Sequence, residues 1–358
     1  MIKSFDEVFE DVTKLGVKMK TDEYHPIGKY QIIDQGQEAV AGYSDLEDGV
    51  FGNVPAIVFG DHTRIVKYVD QPFFLGADGV KVLRSRFKDA NYRYLYYALK
   101  SVKIPNTGYN RHFKWLKEAK IYYPNSEEQS KIVSILDGIS SVIEHRQQEL
   151  KKLDELVKAR FVEMFGDPVQ NSLKWVTKSL LEMGYCKNGV NFHSGDSGIE
   201  IHCLGVGDFK DYSVVDGTDY LPTISLSEEP PEESMLQDGD IVFVRSNGNK
   251  ALVGRCLVVY PHNTPTTYSG FCIRYRLTSN EVNTSYLLRV LKADSMRKKM
   301  IGRGANIQNL NQKTLATLNI PIPPMELQEQ FAEFVNQTDK SKVVVQKALS
   351  KNVQYFTI

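Results

Sequence analysis

The chain has 358 residues, of which 42% are hydrophobic and 25% charged, with 44 Lys and Arg against 44 Asp and Glu. This composition excludes a disordered or fibrous chain, and the length predicts two domains, or one large one, with apolar content sufficient for real cores. No stretch approaches the roughly 18 uncharged apolar residues that a membrane span needs, and the acidic N-terminus lacks the apolar core of a signal peptide. We therefore expect a soluble, cytoplasmic protein.

Strand-like runs and short helices in both halves of the chain predict mixed α/β domains. Short helices are predicted at 89–101 and 284–300, with Gly-rich turns between the elements. The strand-like runs are Tyr30–Ile33, Ala56–Val58, Arg64–Val69, Gly79–Leu83, Ile241–Val244, Gly254–Tyr260 and Phe271–Leu277.

The two halves of the chain are similar in sequence. The segment IYYPNSEEQSKIVSIL (121–136) aligns without gaps with IPIPPMELQEQFAEFV (320–335), and YLYYALKS (94–101) resembles YLLRVLKA (286–293). A period of roughly 200 residues is far too long for a solenoid repeat. It predicts a duplicated domain, followed each time by a helix.

A long helix is predicted for residues 125–165, which contain no proline. Pro124 ends an extended segment, Ser126 is the predicted N-cap, and Gln129 completes a capping box. The sequence Gly166-Asp167-Pro168 ends the helix.

A second helix is predicted for residues 324–358, with Lys342 at a position where an apolar residue is expected. A sustained repeat of 3.5 residues predicts that the long helices pack on each other as a coiled coil; the alternative is an amphipathic helix that lies on a domain core. The predicted packing residues are Leu136, Ile139, Ile143, Leu150, Leu153, Val157 and Met164 in the first helix, and Phe331, Phe334 and Leu349 in the second.

Sequence motifs for catalysis are mostly absent. The Gly28-Lys29 dipeptide lacks the upstream glycine of a GxxxxGK phosphate loop, and no DPPY- or NPPF-type motif of a DNA amino-methyltransferase occurs. Pro-Asp does not occur either, so the usual nuclease signature of metal-binding carboxylates is not evident. We expect no catalytic residues in this chain.

The cysteines and histidines do not form a metal-binding pattern. Without CxxC pairs, we expect the four cysteines to be reduced and mostly buried. A zinc site built from His193, His202 and Cys203 is an alternative, but the paired ligand spacing is missing. We therefore expect no metal and no cofactor in this chain.

Each half of the chain runs from acidic to basic. Residues 1–50 hold 5 lysines against 11 acids, whereas 81–120 hold 11 basic residues against Asp89 and Glu118. The charged residues of 216–240 are all acidic, whereas those of 287–313 are basic except for Asp294. A polyanionic partner would therefore be bound by local patches and not by a generally basic surface.

Two polar loops occupy equivalent places in the two halves, each just before the Ile/Pro run that leads into a long helix. A third polar turn connects two strands of the second half, and the turn at Gln35 is predicted to have a structural role. Lys and Arg can bind phosphates, and Arg, Asn, Gln and Ser can read base edges; the alternative is an ordinary polar loop. The candidate DNA-binding residues are Asn106, Tyr109, Asn110, Arg111, His112 and Lys114 in the first loop, Arg303, Asn306, Gln308, Asn309, Asn311 and Lys313 in its equivalent, and Arg245, Ser246, Asn247, Asn249 and Lys250 in the turn.

The whole chain resembles the specificity subunit of type I restriction–modification systems. The motifs that carry the resemblance are the duplicated plan, the polar loops, GKYQIIDQGQEAVAGY, DGDIVFVRSN followed by LVGRCLVV, IPIPPMELQEQF with its partner YYPNSEEQSKI, and ARFVEMFGDP at the end of the central helix. The resemblance implies target recognition domains at 1–124 and 166–323, a central conserved helix at 125–165 and a distal conserved helix at 324–358. It also implies that the helices pair antiparallel.

The resemblance further implies that each domain reads one half of a split, asymmetric DNA target in the major groove, while the helices fix the spacer. Two methyltransferase subunits and motor-nuclease subunits are the implied protein partners. S-adenosylmethionine, ATP and Mg²⁺ would belong to those partners. Two other classes stay open, a DNA-binding regulator that works alone and a nuclease or methylase with disguised motifs.

Overall fold

The computed structural model describes residues 1–76, 78–193, 195, 197–209, 213–301 and 309–356. These divide into two compact units. Unit 1 consists of Met1–Gln148 with Gln346–Ile358, and unit 2 consists of Glu149–Val345.

Unit 1 contains nine described strands and three short helices. The strands are β1 (Ile2–Ser4), β2 (Phe9–Asp11), β3 (Tyr30–Ile33), β4 (Gly42–Ser44), β5 (Ala56–Gly60), β6 (Val66–Val69), β7 (Phe73–Leu75), β8 (Val80–Ser85) and β9 (Lys120–Tyr122). The helices are α1 (Phe5–Val8), α2 (Tyr92–Lys100) and α3 (Phe113–Lys117). A 40-residue helix, α4 (Ser126–Phe165), follows.

Unit 2 repeats this series of elements with additions. Its strands are β10 (Val176–Ser179), β11 (Gly184–Asn188), β12 (Ile199–Leu204), β13 (Val214–Asp216), β14 (Thr223–Leu226), β15 (Asp240–Val244), β16 (Cys256–Tyr260), β17 (Thr266–Tyr268), β18 (Cys272–Leu277) and β19 (Asn319–Ile322). Its helices are α5 (Thr284–Lys292), α6 (Asp294–Ile301) and α7 (Gln312–Ala316), and α8 (Met325–Phe356) follows.

The strand orders of the two units correspond. Unit 1 has sheets β2-β8-β5-β6, β4-β3-β7 and β1-β9, and unit 2 has β11-β18-β15-β16-β13, β14-β12-β17 and β10-β19. In both three-stranded sheets one outer strand pairs in parallel and the other antiparallel. Unit 2 adds β13, which pairs in parallel with β16. The mixed α/β class and the duplication predicted from the sequence are confirmed.

The central strand of each larger sheet is buried on both faces. In β5, Ile57 and Phe59 belong to a core that includes residues of α1, α2 and α3, whereas Val58 belongs to a separate cluster with residues of β3 and β7. In β15, Ile241 and Val242 divide between two cores in the same way. This alternation follows from the two-residue period of a strand, and it explains why both strands are almost entirely apolar.

The helix α4 does not begin with the predicted cap. Asn125 is the N-cap of α4, because its Oδ1 accepts a hydrogen bond of 2.9 Å from the Glu128 amide. Buried Gln129 instead donates from Nε2 to the Pro124 carbonyl at 2.9 Å. The prediction of Ser126 as N-cap with a Gln129 capping box is therefore wrong.

Within unit 2, α4 and α8 run antiparallel. Lys342 Nζ lies 2.7 Å from Asp154, while the Phe331 ring contacts Phe161 and Phe165 at centroid distances of 5.5 and 5.6 Å. Lys342, at the position where an apolar residue was expected, is thus paired with a carboxylate.

The predicted helix-packing residues are at least partly buried. Val157 and Phe331 are fully buried; the partly buried ones are Leu136, Ile139, Ile143, Leu150, Leu153, Met164, Phe334 and Leu349. Near its end α4 buries Phe161 and Phe165 more completely than Met164. The buried residues there are four positions apart instead of 3.5. The rings of Phe161 and Phe165 also contact Tyr286 of α5. The sequence pattern therefore missed the place where α4 packs on the domain core as well as on α8.

Candidate nucleic-acid interface

In unit 2 two of the predicted DNA-binding segments meet on one surface. The hairpin between β15 and β16 forms a bridge to the segment before α7, with Ser246 opposite Asn309. The Leu310 amide donates to the Arg245 carbonyl at 2.8 Å. Residues 248–250 at the hairpin tip, Asn309 and Lys313 are exposed. Arg303, Asn306 and Gln308 lie outside the described residues.

Unit 1 has the same arrangement, but with a shorter hairpin. Between β5 and β6, the Asp61 carbonyl accepts a 2.7 Å hydrogen bond from the His112 amide. The Asp61 carboxylate accepts a second one, also of 2.7 Å, from the Phe113 amide. Asp61 and His112 therefore correspond to Arg245 and Leu310 of unit 2.

The first loop presents most of its predicted residues to solvent. Asn106, Tyr109, Asn110, Arg111 and Lys114 are exposed. The Tyr109 side chain is 87% exposed, although its ring stacks on His62 with a centroid distance of 4.7 Å. An aromatic face and a guanidinium are thus available to a nucleic acid.

His112 differs from the other predicted residues because its side chain is fully buried. Its Nδ1 lies 3.0 Å from the Asp61 carbonyl, and its Nε2 lies 3.5 Å from the Thr107 hydroxyl. In this position it holds the loop against the hairpin and is shielded from solvent.

Several predicted asparagines shape the loops from within. Asn311 is the N-cap of α7 and accepts from the Thr314 amide at 2.9 Å. Asn249 accepts from the Ala251 amide, and Asn106 from the Gly108 amide. Asn and Asp commonly stabilise turns and helix starts in this way, so these side chains have fewer groups free for a ligand.

Sequence reasoning missed the unit 1 hairpin. Arg64 at its tip has a positive φ of 63° and donates to the Ile104 carbonyl at 3.3 Å. Gln35 supports the same tip, because its side chain accepts from the His62 amide at 3.1 Å and its carbonyl accepts from the Thr63 hydroxyl at 2.6 Å. The signal was present in the sequence, since the tripeptide Ile-Val-Phe occurs immediately before both hairpins.

The cysteines and histidines show no metal-binding geometry. Among the described residues, no group of three or more His, Cys, Asp or Glu side chains could hold a metal ion. Cys203 and Cys256 are free and buried, and burial raises the pKa of their thiols to about 12 and about 11, respectively.

In the described ranges no helix has the length and apolarity to cross a membrane.

The fold and the paired loops define a duplicated α/β protein with two equivalent polar surfaces. A family model described as the type I restriction modification DNA specificity domain matches residues 2–155 and 211–355. The chain belongs to this family and contains two matched regions, so the resemblance seen in the sequence is confirmed.

Individual relatives agree with this assignment. The chain is 25% identical to the type I restriction enzyme StySPI specificity subunit of Salmonella potsdam over 60% of this chain and 49% of that subunit. It is 20% identical to the EcoR124I/EcoR124II specificity subunit of Escherichia coli over 97% of this chain and 88% of the relative. Thus the chain aligns with about half the length of the Salmonella subunit and most of the Escherichia coli one.

A solved structure supports the fold. The S subunit of the type I restriction–modification system from M. genitalium superposes with a TM-score of 0.55 at 19% sequence identity, covering 99% of this chain and 93% of the other. The similarity of fold therefore extends over nearly the whole chain.

Proposed function

We propose that this chain is the non-catalytic specificity subunit of a type I restriction–modification complex, which reads a bipartite, asymmetric DNA target. Unit 1 reads one half-site and unit 2 reads the other. Partner subunits carry out adenine methylation or restriction at the site that the chain selects.

The observation that carries this proposal is the repeated attachment of a polar loop to a strand hairpin. Asp61 holds the loop of unit 1 at residue 112, and Arg245 holds that of unit 2 at residue 310. Fixed loops with Arg, Asn and Ser side chains suit the recognition of base edges, which requires a defined register on the duplex. The hairpins differ in sequence and length, and this difference supports an asymmetric target.

The long helices supply the spacer in this proposal. At 1.5 Å per residue, a helix of 40 residues is roughly 60 Å long. This length exceeds one turn of B-DNA, which advances about 34–36 Å per turn. A rigid helix would make the distance between the half-sites a geometric property of the chain.

The proposed partners are double-stranded DNA, two methyltransferase subunits and motor-nuclease subunits. S-adenosylmethionine, ATP and Mg²⁺ belong to those subunits in this proposal, and the complex acts in the cytoplasm. Membership of the type I restriction modification DNA specificity domain family supports these assignments.

Single arginine substitutions test the proposal. Arg111→Ala should relax base preference in one half-site, and Arg245→Ala in the other, with a loss of about 1–3 kcal/mol at the affected base pair. The Arg245 variant keeps the bond from Leu310, because that bond goes to the backbone carbonyl. The measurement is the affinity of the complex with its methyltransferase subunits for duplexes that carry single base-pair changes.

Arg84→Ala is the matched control, because Arg84 pairs with Glu10 near the opposite end of β8 from the hairpin. It should leave both half-site preferences unchanged. A uniform loss of affinity across all sequences in the Arg111 and Arg245 variants would indicate phosphate contacts and contradict base reading by these residues.

A further inference from the structure

Phe271 is an exposed aromatic residue on the proposed DNA-binding surface of unit 2. It directly precedes β18, and its side chain is 62% exposed. Its carbonyl accepts hydrogen bonds from the amides of Arg245 and Ser246 at 2.8 and 3.2 Å. The Phe271 backbone therefore lies next to the first residues of the hairpin that we assign to base reading.

The backbone around Phe271 is held from several sides. The Gly270 amide donates to the Val190 carbonyl at 2.6 Å, and the Cys272 amide donates to the Ser269 carbonyl at 2.8 Å. A Cβ on Gly270 would lie 2.0 Å from the Asn191 side-chain oxygen, so the turn fits tightly against its neighbours. A fixed backbone presents the ring at a defined place.

The equivalent position in unit 1 has no side chain. The register of the central strands places Val80 opposite Gly60 and Cys272 opposite Val244, so Gly79 corresponds to Phe271. In unit 1 the exposed aromatic residue beside the hairpin is Tyr109, which comes from a different loop. The apolar feature of unit 2 is therefore specific to one half-site.

We propose that Phe271 contacts the C5-methyl group of a thymine in the half-site read by unit 2; this inference rests on the proposed function. Among the unmodified bases, only thymine carries a methyl group on its major-groove edge, and Phe is one of the side chains that contact it. A two-stranded hairpin fits the major groove, whereas aromatic wedges that open base steps act from the minor groove. The neighbouring Arg245, Ser246 and Asn247 supply polar groups for the adjoining base edges.

Deoxyuridine substitution tests the contact, because it removes the methyl group and leaves the Watson–Crick edge intact. With the complex of the chain and its methyltransferase subunits, replacing one thymine of this half-site by deoxyuridine should weaken binding about four-fold, the value of burying one methyl-sized group. Phe271→Ala should bind the thymine and deoxyuridine duplexes equally. Phe271→Leu should keep part of the difference, since leucine also offers an apolar surface.

Val176→Ala is the control, because Val176 lies in β10 and is 72% exposed; it should preserve the full difference between the two duplexes. Three results would each overturn the inference. The unchanged chain could bind the thymine and deoxyuridine duplexes equally at every thymine position, or the half-site could contain no thymine. Alternatively, Phe271→Ala could keep the full difference in affinity between the two duplexes. If Arg111→Ala and Arg245→Ala still relax one half-site each, the proposed function stands while this contact fails.

Discussion

Inserting one heptad into each long helix, at the boundary between the units, should lengthen the spacer of the recognised DNA target. Both half-sites should stay unchanged. The insertions follow Gln148 in α4 and Val345 in α8, where the division into units falls in both helices. Seven residues add about 10 Å at 1.5 Å per residue, which corresponds to about 3 base pairs at 3.4 Å each. A heptad also returns the apolar positions to nearly the same face.

Methylation mapping in cells that carry the lengthened chain would measure this change. An insertion of two residues at the same places is the control, because at 3.6 residues per turn it rotates the following helix faces by about 200° and should impair assembly instead of lengthening the spacer. The same spacer after the heptad insertion would contradict the role of the helices in setting the distance.

The second large effect is expected for Phe331→Ala, which should destabilise unit 2 by about 3–5 kcal/mol, as truncation of a buried phenylalanine commonly does. Phe331 is fully buried and contacts the rings of Phe161 and Phe165. Its loss would leave a cavity where α4 and α8 meet the domain core.

The two tryptophans of the chain allow the units to be followed separately, because Trp115 lies in unit 1 and Trp175 in unit 2. In a Trp115→Phe background, denaturant unfolding monitored by fluorescence would report on unit 2. Val343→Ala on the same helix is the control, since Val343 is 50% exposed and surface substitutions usually change stability by less than about 0.5 kcal/mol. A loss below about 1 kcal/mol for Phe331→Ala would contradict this packing.

The parts of the fold that depend on local pattern were predictable from the sequence. Tyr30–Ile33 forms β3 as predicted, and α4 ends at Phe165, just before Gly166, which has a positive φ of 73°. The predicted helix at 284–300 is present but divides into α5 and α6 at Ala293. Strand alternation, helix periodicity and turn residues carry this information within a few positions of the chain.

The remaining features depend on contacts between distant residues. Asn125 and Ser126 are both suitable N-cap residues. A capping box at Ser126 would need the Gln129 side chain, which instead donates a hydrogen bond to the Pro124 carbonyl. The burial of His112 depends on Asp61, which lies 51 residues earlier in the hairpin between β5 and β6. Likewise, the position of Phe271 beside Arg245 follows from strand pairing, which the sequence alone did not reveal.

The role of this chain in selecting the methylated sites is tested most directly by the adenine-methylation map of the host genome with this gene intact and with it deleted. Deletion should abolish methylation at one asymmetric, two-part motif and leave other methylated motifs unchanged. An unchanged map in cells that express the methyltransferase subunits would contradict the assignment and favour a DNA-binding protein that works without them.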